Sequence, residues 1–145
     1  PKGGDEINKI VFGENYGWPI ASYGDYYMEE DNTSSDKYSD NPFYLKSHAK
    51  NGFKEPIYSY VPSIGISEII RLPNNFSNHF IDNFIIASLN GKSLFRIKFD
   101  EDYSKILFSE KIFIGKRIRD IKYHNQTKSI ILGLEYNREI GILSR

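Results

Sequence analysis

Apolar and polar positions divide this chain into three stretches of different character. Between Ile7 and Tyr23, short apolar runs are interrupted by "GENYG" and "YGDYY", and neither a helical nor a strand period holds. Residues 28–52 are polar, charged and turn-rich, and are read as a long excursion that carries at most one short helical turn. From Glu55 onward the pattern becomes regular. "PIYSYVPSIGISEIIRL" predicts two short strands broken at Pro62. Phe95, Ile97 and Phe99 alternate with Leu94, Arg96 and Lys98, the period of two expected of a half-buried strand. The run Phe84 to Leu89 precedes it across Asn90-Gly91, a pair that predicts a hairpin closed by a type I′ turn. "KILFSEKIFI", "RIRDIKYH", "SIILGLE" and "EIGILS" each have strand length.

The order from about Ile64 is therefore four strands, then three more, mostly with short connections. Consecutive four-stranded antiparallel sheets, as in propeller blades, fit this order. A β-sandwich fits the spacing as well. No sequence repeat separates the two. Composition agrees with an all-β chain: 15% of the 145 residues are aromatic, and flat rings pack well on pleated surfaces.

Charge and cysteine content narrow the function classes. Lys plus Arg equals Asp plus Glu, 19 of each, which argues against broad electrostatic capture of nucleic acid or anionic membrane. The absence of cysteine excludes disulfides, thiolate catalysis and cysteine-ligated metals. No run is long and apolar enough to span a bilayer as a helix. His48, His79 and His124 have no partner at metal-ligand spacing, and each is read as a surface or turn histidine. Asp5 and Glu6 point opposite ways on an extended chain, so they do not chelate one ion together. They are read as acceptors for backbone amides of the following turn.

"KRIRD" carries more information. On a strand, Arg117 and Arg119 share a face, which Ile121 and Tyr123 would continue. Two guanidinium groups at the end of an apolar stripe either reach solvent or meet an anion, and arginine forks suit carboxylates and phosphates.

"GGDEINKIVFGENYGWP", "PIYSYVPSIGISEI", "NFIIASLNGKSLFRIKFD" and "KRIRD", in that order, resemble the glucose/sorbosone dehydrogenase family. That family includes soluble quinoprotein glucose dehydrogenases and aldose sugar dehydrogenases. The resemblance implies an all-β fold, a six-bladed β-propeller of which residues 1–145 form roughly the last three blades, with the excursion at 28–52. It implies pyrroloquinoline quinone (PQQ) and calcium as cofactors, and oxidation of an aldose sugar at its anomeric carbon to a lactone. Hydride passes to the quinone, a histidine is the general base, and an electron acceptor takes the electrons away. A periplasmic or secreted location is implied too. The family's histidine belongs to an earlier segment, so no catalytic residue is expected in this chain and the chain alone is expected to be inactive. It is expected to be a fragment, or to pair with a missing N-terminal propeller half or with copies of itself.

Residue by residue, the resemblance makes the Pro1 carbonyl a calcium ligand. Arg117 and Arg119 become contacts to the quinone, whose three carboxylates supply the anion. Ser63 falls at a threonine whose hydrogen bond its hydroxyl can keep. Asn90 falls at a lysine that contacts the quinone, with Lys92 nearby to compensate. Val61 replaces a tryptophan, and "GISEI" stands where many members have a Pro-Ser-Gly run. These departures motivate a second expectation, a non-catalytic propeller that binds a protein or glycan partner.

Overall fold

The structure, a computed structural model, describes residues 2–25, 44–136 and 138–144. It is all-β, with no α-helix among the described residues. Two compact units divide at Ser63 and Ile64.

The first unit contains little regular structure. Strand β1 (Asp5–Ile7) pairs antiparallel with β2 (Tyr58–Tyr60), Asp5 opposite Tyr60 and Ile7 opposite Tyr58. Isolated bridges join Lys2 to Asp25 and Ala21 to Leu45. A 3-10 turn at Ala49–Asn51 supplies the one helical turn of residues 44–52. His48, just before it, is the turn residue expected but has no solvent exposure, which corrects its reading as a surface residue. Its Nε2 lies 3.2 Å from Glu6 Oε1, and its Nδ1 lies 3.9 Å from Glu55 Oε2. The Tyr23 ring packs on the imidazole at 5.1 Å. Gly17 of "NYGWP" leaves room for this ring. A Cβ at Gly17 would stand 2.9 Å from Ala21 Cβ and 3.0 Å from His48 Cδ2, and its φ of +90° disfavours any side chain.

Asp5 and Glu6 each engage a side chain. Ser63 Oγ donates to the Asp5 carboxylate, 2.8 Å from each oxygen. Glu6 faces His48 and accepts from Asn8 Nδ2 at 3.3 Å.

The second unit holds the seven strands expected after Ile64. Strands β3 (Ile66–Arg71), β4 (Asn83–Ser88), β5 (Ser93–Phe99) and β6 (Ile106–Phe113) form a four-stranded antiparallel sheet in sequential order. Strands β7 (Ile118–His124), β8 (Ser129–Leu134) and β9 (Glu139–Leu143) form a three-stranded one. Such consecutive meandering sheets are propeller blades, and the fold is part of a β-propeller. Ile85, Ala87 and Leu94 of the first sheet meet Ile118, Ile121, Ile130 and Leu132 of the second in one apolar core. The opposite face of β4 and β5 is also covered, with Ile86 and Ile97 fully buried. Arg96, on the internal strand β5, lies 4.4 and 4.5 Å over the Phe80 and Phe108 rings and pairs with Glu110 at 2.8 Å.

The β4–β5 hairpin forms, but not through a type I′ turn. Its connection runs over residues 89–92, and the positive φ falls at Lys92, +47°, instead of at Asn90 and Gly91. The reason is tertiary. Asn90 and Gly91 both donate their N–H to the Ile64 carbonyl at 2.9 Å, which draws the loop back over the start of β3. Gly91 is required by a close approach, since a Cβ there would lie 2.6 Å from Ser88 Oγ.

Candidate anion-binding site

Strand β7 does not alternate simply. Ile118 pairs with Leu134 and Asp120 with Gly133, so a β-bulge sits between them. The bulge shifts the phase, and Ile118 and Ile121 both enter the core. This corrects the stripe expected from the sequence: Ile121 does not continue the face of Arg117 and Arg119. The two arginines flank Ile118 and point away from the core.

Strand β3 supports the bulge. Ser67 Oγ donates to the Ile118 carbonyl at 2.7 Å, and Glu68 Oε2 accepts the Ile121 N–H at 3.0 Å. The "SE" of "GISEI" thus satisfies backbone groups around the bulge that holds Arg119. A hydrogen bond with the Asp120 carboxyl raises the Glu68 pKa, partly opposed by the Ile121 N–H.

Both arginines converge on one carboxylate. Glu135, directly after β8, binds Arg117 Nε through Oε2 at 2.9 Å and Arg119 Nη2 through Oε1 at 3.0 Å. The backbone N–H of Glu135 also donates to the Arg117 carbonyl at 2.9 Å. The Arg117 contact, and after it Arg119, holds the Glu135 carboxyl below the usual glutamate range. Glu135 in turn raises the Arg117 pKa. The anion expected beside these arginines is therefore already partly supplied by the chain itself.

A cleft of about 510 Å³ opens here, lined by Lys92, Gly115, Lys116, Arg117, Glu135 and Tyr136. The Arg117 guanidinium carbon lies 5.6 Å from the centre of the exposed Tyr136 ring. The Lys92 carbonyl accepts the N–H groups of Ile114 and Gly115 at 3.1 and 3.0 Å, tying the β4–β5 loop to the segment that leads into Arg117. Lys116 pairs with Glu139. Three cationic side chains, Lys92, Lys116 and Arg117, thus line the cleft with the Glu135 carboxylate and the Tyr136 ring.

The other candidates are placed differently. Asn90 is exposed on the hairpin loop, and Lys92 lines the cleft instead. Ser63 belongs to the first unit, engaged with Asp5. Val61 is largely exposed. Pro1 lies outside the described residues. His79 ends in an exposed 3-10 turn, and His124 Nδ1 lies 2.8 Å from Thr127 Oγ1; neither lines the cleft. No cluster of three or more His, Asp or Glu that could hold a metal occurs among the described residues. Glu135 went unnoticed in the sequence: counting back along the β7–β8 hairpin from its turn at residues 125–128 sets it opposite Ile118, and only the bulge brings it to Arg117.

Comparison with known proteins points the same way. The family model for glucose/sorbosone dehydrogenases matches residues 1–138. An uncharacterised protein of Synechocystis is 25% identical over 121 residues, 83% of this chain and 26% of its own. The aldose sugar dehydrogenase YliI of Escherichia coli is 27% identical over 124 residues, 84% of this chain and 30% of its own. Among solved structures, the soluble aldose sugar dehydrogenase of Escherichia coli in its apo form superposes with a TM-score of 0.75 at 22% identity, over all of this chain and 39% of its own. The chain spans between a quarter and a third of the length of these curated relatives. With a match over nearly its whole length, the chain belongs to the glucose/sorbosone dehydrogenase family.

Proposed function

We propose that this chain is the cofactor-carboxylate-binding part of a PQQ-dependent sugar dehydrogenase that oxidises an aldose to its lactone. The observation that carries the reading is the Arg117–Arg119 pair, joined through Glu135, with Arg117 lining a cleft together with Lys92 and Lys116. A flat tricarboxylate suits this surface: guanidinium forks bind carboxylates through paired hydrogen bonds, and a ring such as Tyr136 offers a planar wall. Glu135 engages one edge of each arginine, so the terminal nitrogens of Arg117 remain available for a ligand carboxylate. When bound, the quinone supplies hydride acceptance; the residues of this chain orient it and neutralise its charge.

In this reading Ser63 and Asn90 are further cofactor contacts, calcium is held by backbone carbonyls that include Pro1, and the histidine base comes from a preceding segment. The partners are an aldose and an electron acceptor, and the location is periplasmic or secreted. No helix among the described residues is long and apolar enough to cross a membrane.

The test adds PQQ and calcium to the natural full-length protein and follows cofactor absorbance and aldose oxidation with an artificial electron acceptor. Bound cofactor and turnover are expected, both lost in a doubly substituted Arg117→Ala/Arg119→Ala protein. Neither absorbance change nor turnover would replace this reading with a non-catalytic propeller binding a protein or glycan.

A further inference from the structure

We infer that Glu135 is a positioning residue: it holds the Arg119 guanidinium beside that of Arg117 and aims the pair at an anionic ligand in the cleft that Arg117 and Glu135 line. The inference rests on the proposed quinone site. Glu135 spans two strands' ends, with one carboxylate oxygen on each arginine, at 2.9 and 3.0 Å. Its own position is set from the backbone, because its N–H donates to the Arg117 carbonyl at 2.9 Å. Nothing else among the described residues ties down the far end of Arg119, whose side chain is 59% exposed.

Geometry decides what this bridge leaves over. Arg117 is engaged through Nε, on the side of its guanidinium, so its two terminal nitrogens face outward as a fork. Arg119 is engaged through one terminal nitrogen, Nη2, which leaves its other edge. Two long cationic side chains, otherwise repelling one another and sampling many rotamers, are held as one donor surface before any ligand arrives. Preorganisation of this kind raises affinity by reducing the ordering that binding requires. The bridge also costs attraction, since it places a negative charge near an anion. The two effects have opposite signs, and the variants separate them.

Glu135→Gln removes the charge and breaks the double bridge, because a carboxamide has one acceptor oxygen. Glu135→Asp keeps the charge and shortens the reach. PQQ affinity is measured on the full-length protein by absorbance titration, with thermal melting as a folding control. Arginine Nε–H exchange is followed by NMR in the absence of ligand. Wild-type protein is expected to protect the Arg117 Nε–H, and both variants to lose that protection. Each variant is expected to bind PQQ at least ~10-fold more weakly, Glu135→Gln despite its more positive cleft. Unchanged or tighter binding by Glu135→Gln, with wild type binding normally, overturns the positioning role and makes Glu135 a competing anion. Wild-type protein that binds no PQQ instead refutes the quinone site, and this inference with it.

Discussion

The two units of this chain solve the same problem in different ways. From Ile64 onward, stability comes from apolar surface: β4, β7 and β8 each place two or more aliphatic side chains in one core, and β5 adds Leu94. Among the described residues of the first unit there is one two-stranded sheet, few buried apolar residues and a fully buried histidine facing two carboxylates. Strands announce themselves through alternation, because every second residue must be apolar. A loop-rich unit has no such period, and its order rests on a small number of specific polar contacts. The first kind of unit tolerates local error and is legible; the second depends on single residues.

Breaking the apolar core should give the largest effect. Leu132→Ala removes a side chain that is 1% exposed, in contact with both sheets' core residues. It should lower unfolding free energy by about 2–5 kcal/mol, read by denaturant melts. Hydrogen exchange should accelerate through β4, β5, β7 and β8. A loss under ~1 kcal/mol would show that the core repacks, and that the contrast drawn between the units is overstated.

The first unit should break at His48. His48→Ala leaves Glu6 and Glu55 facing a cavity, and is expected to cost about 1–3 kcal/mol. Gly17→Ala should cost a similar amount, about 1–3 kcal/mol, through backbone strain at φ +90° and contact with the same ring. Because both act on one packing arrangement, the double substitution should cost less than their sum. Additive losses would mean that Gly17 is needed for its backbone alone.

These same contacts explain what could be read from the sequence. The seven strands, the β4–β5 hairpin and the pairing of Arg117 with Arg119 on one side were legible, since each follows from local alternation or a turn signal. The burial of His48 was not, because it depends on Glu6 from β1, distant along the chain, as well as on the nearby Glu55. The type I′ turn failed at Asn90-Gly91 because the Ile64 carbonyl captured both N–H groups. The phase of β7 failed at the bulge, which Ser67 and Glu68 of β3 stabilise from another strand. In the last two cases a tertiary hydrogen bond overrode a local preference.

Smallest in effect, and most selective, is the pH response of two carboxylates along the first half of β7. Glu135 has a lowered pKa in the folded state. Its stabilisation is complete above the ordinary glutamate value of 4.5 and is lost as pH falls through the lower, folded value. Glu68 has a raised pKa, from its hydrogen bond with Asp120. Its stabilisation is complete below 4.5 and is lost as pH rises through the higher, folded value. Melting Glu68→Gln from pH 4 to 7 should therefore show a smaller fall in stability with rising pH than wild type, by about 1 kcal/mol or less for so accessible a group. Glu135→Gln should show a smaller fall on acidification below pH 4.5, with the Glu68 response intact. If both variants flatten the same limb, the two carboxylates titrate as one network through β7, and the bulge does not insulate the arginine pair from the strand that supports it.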